Sequence, residues 1–176
     1  TNTSSGNNTA NGYAALYNTT TGSNNTANGN MALFSNTTGA YNTAIGHYAL
    51  NKNTGDYNVA MGSDALSNNT SGYNNVAIGF SALNTNTTAE KNTAIGTYAL
   101  KLNTTGSYNT AIGNEALFSN ITGDANTAIG FAALYWNTAS ENTAIGKNSL
   151  NKNTTGDNNT AVGSSALYLN ITGSNN

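Results

Sequence analysis

Few residues of this 176-residue chain have side chains suited to catalysis, and they are poorly spaced for it. His47 is the one histidine, there is no cysteine, and the acids are Asp56, Asp64, Glu90, Glu115, Asp124, Glu141 and Asp157. General acid–base or nucleophilic catalysis needs a base held against its nucleophile and a third group to orient it. No such set can be drawn around an isolated His47, which reads as a solvated turn residue. Asp56, Glu90, Asp124 and Asp157 each follow a Gly or Ala at a corner, where they either form an acidic column or simply keep the chain soluble. A calcium-binding repeat needs an Asp in nearly every unit, and a thiolate metal site needs cysteine. The expectation is no catalytic residue, no cofactor site and no metal site.

Other side chains recur in patterns. Asn18, Asn36, Asn69, Asn86, Asn103, Asn120, Asn153 and Asn170 each carry a hydroxyl residue two places on, the acceptor pattern for N-glycosylation. They are either a row of glycan sites along one edge or the chance product of an Asn- and Thr-rich text. Thr93, Thr110, Thr127, Thr143 and Thr160 form a regular column, interrupted by Val59 and Val76. Such arrays can resemble ice-binding faces, although those use T-x-T where this chain has T-A-I. Tyr17, Phe34, Phe118, Tyr135 and Tyr168 share one place, with Trp136 following. They cover a turn, face a neighbouring chain or contact carbohydrate.

All these columns follow from one repeat. Units open at Asn8, Asn25, Asn42, Asn58, Asn75, Asn92, Asn109, Asn126, Asn142 and Asn159. They are 17 residues long, or 16 for those opening at Asn42 and Asn126. The unit reads N-T-A-I-G-x-x-A-L-x-x-N-T-T-G-x-x, and the short units lose a residue in the N-T-T-G corner, where a surface turn tolerates deletion. The third place is always Ala: Ala10, Ala27, Ala44, Ala60, Ala77, Ala94, Ala111, Ala128, Ala144 and Ala161. The ninth is always Leu: Leu16, Leu33, Leu50, Leu66, Leu83, Leu100, Leu117, Leu134, Leu150 and Leu167. The fifth is always Gly.

A unit this short excludes helical hairpins and propeller blades. Two apolar stretches, each followed by turn residues, predict an all-β parallel β-solenoid or β-roll. It has ten coils of two short strands, such as 93–95 and 99–101, stacked at about 4.8 Å. Residues 1–176 then form one repeat domain with no linker. Because neighbours on a strand face opposite ways, the large Ile and Leu are expected inside as the core. The Ala ladder is expected outside as a close-contact surface. The opening Asn is expected to form an inward amide ladder along the stack.

Phrases such as NTAIGHYAL, NVAIGFSAL and NTAIGNEAL resemble the YadA-like head repeats of trimeric autotransporter adhesins. The resemblance covers essentially the whole chain. It implies a left-handed parallel β-roll, three chains side by side, and a bacterial surface adhesin for matrix or other surfaces. This chain has a longer unit, with an added N-T-T-G corner.

The net charge of −2 and five basic residues are too few and too scattered for a nucleic-acid surface. No apolar run approaches the ~18 residues of a membrane span. The chain begins at Thr1, without Met or a signal peptide, and reads as a segment of a longer fibre. The functional expectation is a non-enzymatic, extracellular or cell-surface rod. It associates with itself as a trimer or an end-to-end filament, and a surface, matrix or glycan is a further partner. The alternative is an ice- or glycan-binding solenoid using the Thr and Asn columns.

Overall fold

The computed structural model describes residues 6–176, and among them there is no helix. Each coil contributes one three-residue strand: β1 (Thr9–Asn11), β2 (Thr26–Asn28), β3 (Thr43–Ile45), β4 (Val59–Met61), β5 (Val76–Ile78), β6 (Thr93–Ile95), β7 (Thr110–Ile112), β8 (Thr127–Ile129), β9 (Thr143–Ile145) and β10 (Thr160–Val162). They form one parallel sheet in chain order. Like pairs with like: Thr93 with Thr110, Ala94 with Ala111, Ile95 with Ile112. The short units keep this register, with Thr43 opposite Val59 and Thr127 opposite Thr143. The parallel β-solenoid expected from the repeat is therefore what the chain forms.

The second strand of each coil is absent. Residues 99–101 lie in a run of turns, because Tyr98 and Leu100 hold φ of 59° and 50°. Left-handed backbone costs a non-glycine residue on the order of 1 kcal/mol or more. Bonds to both neighbouring coils offset it. Tyr98 N donates to Phe80 O (3.0 Å) in the coil before, and Leu100 N donates to Ala116 O (2.9 Å) in the coil after. The stack is thus laddered around its perimeter, though only one wall is extended.

That backbone also corrects the expected inside and outside. Ala27, Ala44, Ala60, Ala77, Ala94, Ala111, Ala128 and Ala144 are wholly buried and Ala161 nearly so, while Ala10 in β1 is exposed. The third-place alanines are core, not a contact surface. Leu33, Leu50, Leu66, Leu83, Leu100, Leu117, Leu134 and Leu150 are also wholly buried. Leu16 is buried, and Leu167, in the last coil, is exposed. The inner Leu ladder holds. The Ile ladder does not, since Ile45, Ile112, Ile129 and Ile145 are more than a third exposed on the outer face. Ala99 and Leu100, expected on opposite faces, are both wholly buried, because Leu100 is not on a strand. The physical reason is width. Leu from the turn wall already reaches the strand wall, so only a methyl group fits opposite it.

Asparagines close each coil. Asn92 Nδ2 and Asn103 Nδ2 both donate to Gly106 O, at 2.9 Å each. Asn92 Oδ1 accepts from Asn109 N (2.9 Å), and Asn103 Oδ1 accepts from Asn120 Nδ2 (2.9 Å). The first Asn thus ties the start of a coil to its end, and both link coil to coil. Six of the eight sequon asparagines, Asn36, Asn69, Asn86, Asn103, Asn120 and Asn153, are wholly buried in this ladder. A glycan has no room there in the folded coil, so the expected glycan edge is corrected for these six. Asn170 is half-buried in the last coil, and Asn18 is half-buried one place earlier in its repeat.

The exception to the Asn column tests it. Thr19 stands in the twelfth place of the first coil, and its buried hydroxyl has no partner. Gly22 O there receives the amide of Asn8 (2.9 Å), where other coils supply two. Thr19→Asn restores the second donor and offers Asn36 an acceptor. It is expected to raise the denaturant midpoint by about 1 kcal/mol of stability. An unchanged midpoint would show that the ladder adds nothing at that coil.

Candidate functional site

With Ala and Leu inside, the outward side chains fall into three columns. The first is the sheet face. The second place (Thr43, Val59, Val76, Thr93, Thr110, Thr127, Thr143) and the fourth (Ile45, Met61, Ile78, Ile95, Ile112, Ile129, Ile145) point out together from β3 to β9. The strip holds no charged residue. Sequence reasoning found the Thr column but missed the Ile column beside it, because it assigned the larger residue to the interior. The signal was present in the constancy of the third place, since a site that accepts nothing but Ala is more readily a filled one than an exposed one.

The second column lies past the Gly corner. Phe80 and Tyr98 meet edge to face (5.3 Å), as do Tyr98 and Phe118 (6.3 Å), and Phe118 stacks on Tyr135 (5.0 Å, 3°). Trp136 meets Tyr135 edge on at 4.9 Å. Lys101 Nζ lies 4.5 Å from the Tyr98 ring centre, and Lys152 Nζ lies 5.6 Å from that of Trp136. Cation–ring attraction holds both ammoniums to the surface. Burial, with Glu115 nearby, pushes the Tyr135 hydroxyl above its ordinary pKa. A hollow of about 370 Å³ is lined by Trp136, Lys152, Thr154, Leu169 and Ile171. The sequence grouped most of these rings, but not the lysines that lie against them.

The third column is the corner that leads into each strand. Its acids bind backbone: Asp56 Oδ1 accepts from Ala40 N (2.8 Å), Asp124 Oδ1 from Ser107 N (2.6 Å) and Asp157 Oδ1 from Ser140 N (2.8 Å). Ser107 Oγ and Ser140 Oγ accept from Glu90 N and Asp124 N in the same way. The acids do form a column, and three of them cap a corner amide of the preceding coil. The alternation of Asp and Ser, both ready partners of nearby amides, was the legible clue. Lys91 donates to Tyr108 Oη (2.9 Å), which is the main reason its pKa is raised, and it lies 3.5 Å from Glu90.

His47 is exposed and meets only the edge of Tyr48 (4.2 Å) among aromatic rings. Among the described residues, no three of His, Cys, Asp and Glu gather to hold a metal ion. No helix among them is long and apolar enough to cross a membrane. Comparison of the chain with protein-family models, with curated proteins and with solved structures finds no match.

Proposed function

We propose that this chain is a stiff, non-enzymatic segment of an extracellular or cell-surface fibre, and that it associates laterally with copies of itself. The outward Thr/Ile strip carries the reading. Scattered exposed apolar residues are ordinary, but a contiguous apolar strip marks an interaction surface. From β3 to β9, six steps of about 4.8 Å make it roughly 29 Å long. The resemblance to adhesin head repeats supports side-by-side packing of copies. The contact columns are then the second and fourth places, not the alanines. A matrix or glycan ligand would meet the aromatic column, where Phe80 and Trp136 are nearly half exposed.

The test is Ile95→Glu combined with Ile112→Glu, read by light scattering. The parent is expected to have the mass of several chains, and the variant that of one, with an unchanged circular-dichroism spectrum. A parent of single-chain mass at every concentration would overturn self-association. Ice binding is a second reading, favoured by the same geometry, because Thr and Ile present one flat array. Recrystallisation inhibition by a monomeric parent, abolished by Thr110→Lys, would select it.

A further inference from the structure

Burial closes six of the sequons at the twelfth place, but others stand outside. The residue just before each opening Asn lies at a corner with left-handed backbone, with φ of 58° at Asn7, Asn24 and Asn158 and 56° at Asn74. Asparagine is one of the few residues that visits this conformation readily. Where the second-place residue is Thr, such an Asn begins a sequon of its own. Three coils read N-N-T in this way: Asn7 with Thr9, Asn24 with Thr26, and Asn158 with Thr160.

The fold sorts the three residues of each phrase. The middle Asn belongs to the inner ladder: Asn25 and Asn159 are wholly buried, and Asn8 Nδ2 donates to Gly22 O. The outer two stay accessible. Asn7 and Asn158 are exposed, Asn24 is half-buried, and Thr9, Thr26 and Thr160 are exposed. Their amides are lightly held. Asn7 Nδ2 donates to Asn24 Oδ1 at 3.4 Å, and Asn24 Nδ2 donates to Ser23 Oγ at 3.3 Å. Other sequons are engaged more firmly. Asn103 Nδ2 donates to Gly106 O (2.9 Å) and Asn86 Oδ1 (3.2 Å). Asn68 Nδ2 donates to Asn84 O (3.1 Å), and the hydroxyl of its Thr70 donates to Thr87 O (2.8 Å). The hydroxyl of Thr20, which follows Asn18, donates to Thr37 O (3.0 Å).

We propose that Asn7, Asn24 and Asn158 are the acceptors of N-linked sugar in the folded chain. The donor is a sugar with a phosphate leaving group at C1. Asn Nδ2 bonds to C1, the C1–O bond breaks, the phosphate leaves with that electron pair, and the amide releases one proton. Transfer follows folding. Sugar placed earlier on a twelfth-place Asn such as Asn103 would occupy the amide that holds the closing glycine carbonyl, and the coil could not form. The three sites lie just before β1, β2 and β10, so the strip from β3 to β9 stays bare. Acceptance of sugar does not depend on self-association.

Asn74 supplies a built-in comparison. It is exposed at the same corner and precedes a buried Asn75, but Val76 stands where the hydroxyl is needed. The second place takes Val in β5 and Thr in β6, so exchanging the two residues keeps the coil. The folded parent, Val76→Thr and Thr160→Val are each given two donors. One is a nucleotide-linked hexose with its soluble N-glycosyltransferase; the other is a lipid pyrophosphate-linked oligosaccharide with its membrane transferase. Peptide mass spectrometry then locates the sugar, and its size tells which donor serves. The parent is expected to carry sugar at Asn7, Asn24 and Asn158, Val76→Thr to gain Asn74, and Thr160→Val to lose Asn158. A short peptide containing Asn103 is the unfolded reference. In the folded chain Asn103 should react at least about a hundredfold more slowly than in that peptide, because it waits for its coil to open. Bare Asn7, Asn24 and Asn158 with both donors overturn the proposal. So does equal reaction of Asn103 and Asn158 in the folded chain, or a Val76→Thr chain that gains nothing at Asn74.

Discussion

Ala94→Glu is expected to unfold the middle of the stack, while Ile95→Glu, one residue on, leaves it folded. Ala94 is wholly buried between Ala77 and Ala111 in the sheet and shares one core with the Leu ladder. A carboxylate there has neither room nor a partner, and an unpaired buried charge is among the most costly single changes. The loss should be about 4 kcal/mol or more, seen as a collapsed denaturant midpoint or insoluble expression. Ile95 points outward from the same strand and is only partly buried. Its replacement should cost about 1 kcal/mol or less in stability, with its main effect on association. Equal losses at the two positions would contradict the inward alanine.

Gly96→Ala should be nearly as damaging, for a different reason. Gly96 has φ of +134°, and a Cβ there would stand 2.5 Å from Gly113 O in the next coil. The obstacle is backbone, which cannot rotate aside. Each fifth-place glycine from Gly12 to Gly146 meets its successor in this way, so the corner is a column of chain packed on chain. Strain and clash together should cost about 3–5 kcal/mol. Gly163→Ala supplies the comparison. It has a similar φ of +125°, but a Cβ there would meet only Ala166 Cβ at 4.0 Å. It should therefore show the conformational cost without the clash, about 1–2 kcal/mol. If both variants melt alike, coil-to-coil contact is not what fixes glycine at this corner.

The period, the stacking and the corner deletions were legible because they depend on spacing alone. The Leu ladder and the opening Asn ladder were legible because a large apolar or amide side chain repeated in register has few places to go. The facing of Ala94, Ile95 and Ala99 was not. Alternation gave two choices for each strand, and size was used to pick between them. The true criterion was the width left by Leu100, which depends on its left-handed backbone, and nothing in the residue type Leu announces that conformation. The sequon asparagines failed for a related reason. The pattern N-x-T identifies an acceptor only if the Asn is outside, and in this coil the same Asn holds the closing glycine carbonyl.

The perimeter ladder also decides how the rod answers a pull. Successive coils are held by backbone bonds aligned with the long axis, and the chain passes from one coil to the next only once per turn. Tension along that axis therefore loads one rung at a time, like a zip, while force across the rod loads many rungs together. When a coil detaches, its 17 residues at about 3.3–3.6 Å each replace a rise of about 4.8 Å, releasing roughly 51–56 Å of slack. Such a segment is expected to resist bending and, under sustained axial load, to act as a stepwise damper that dissipates work coil by coil while the rest keeps its register.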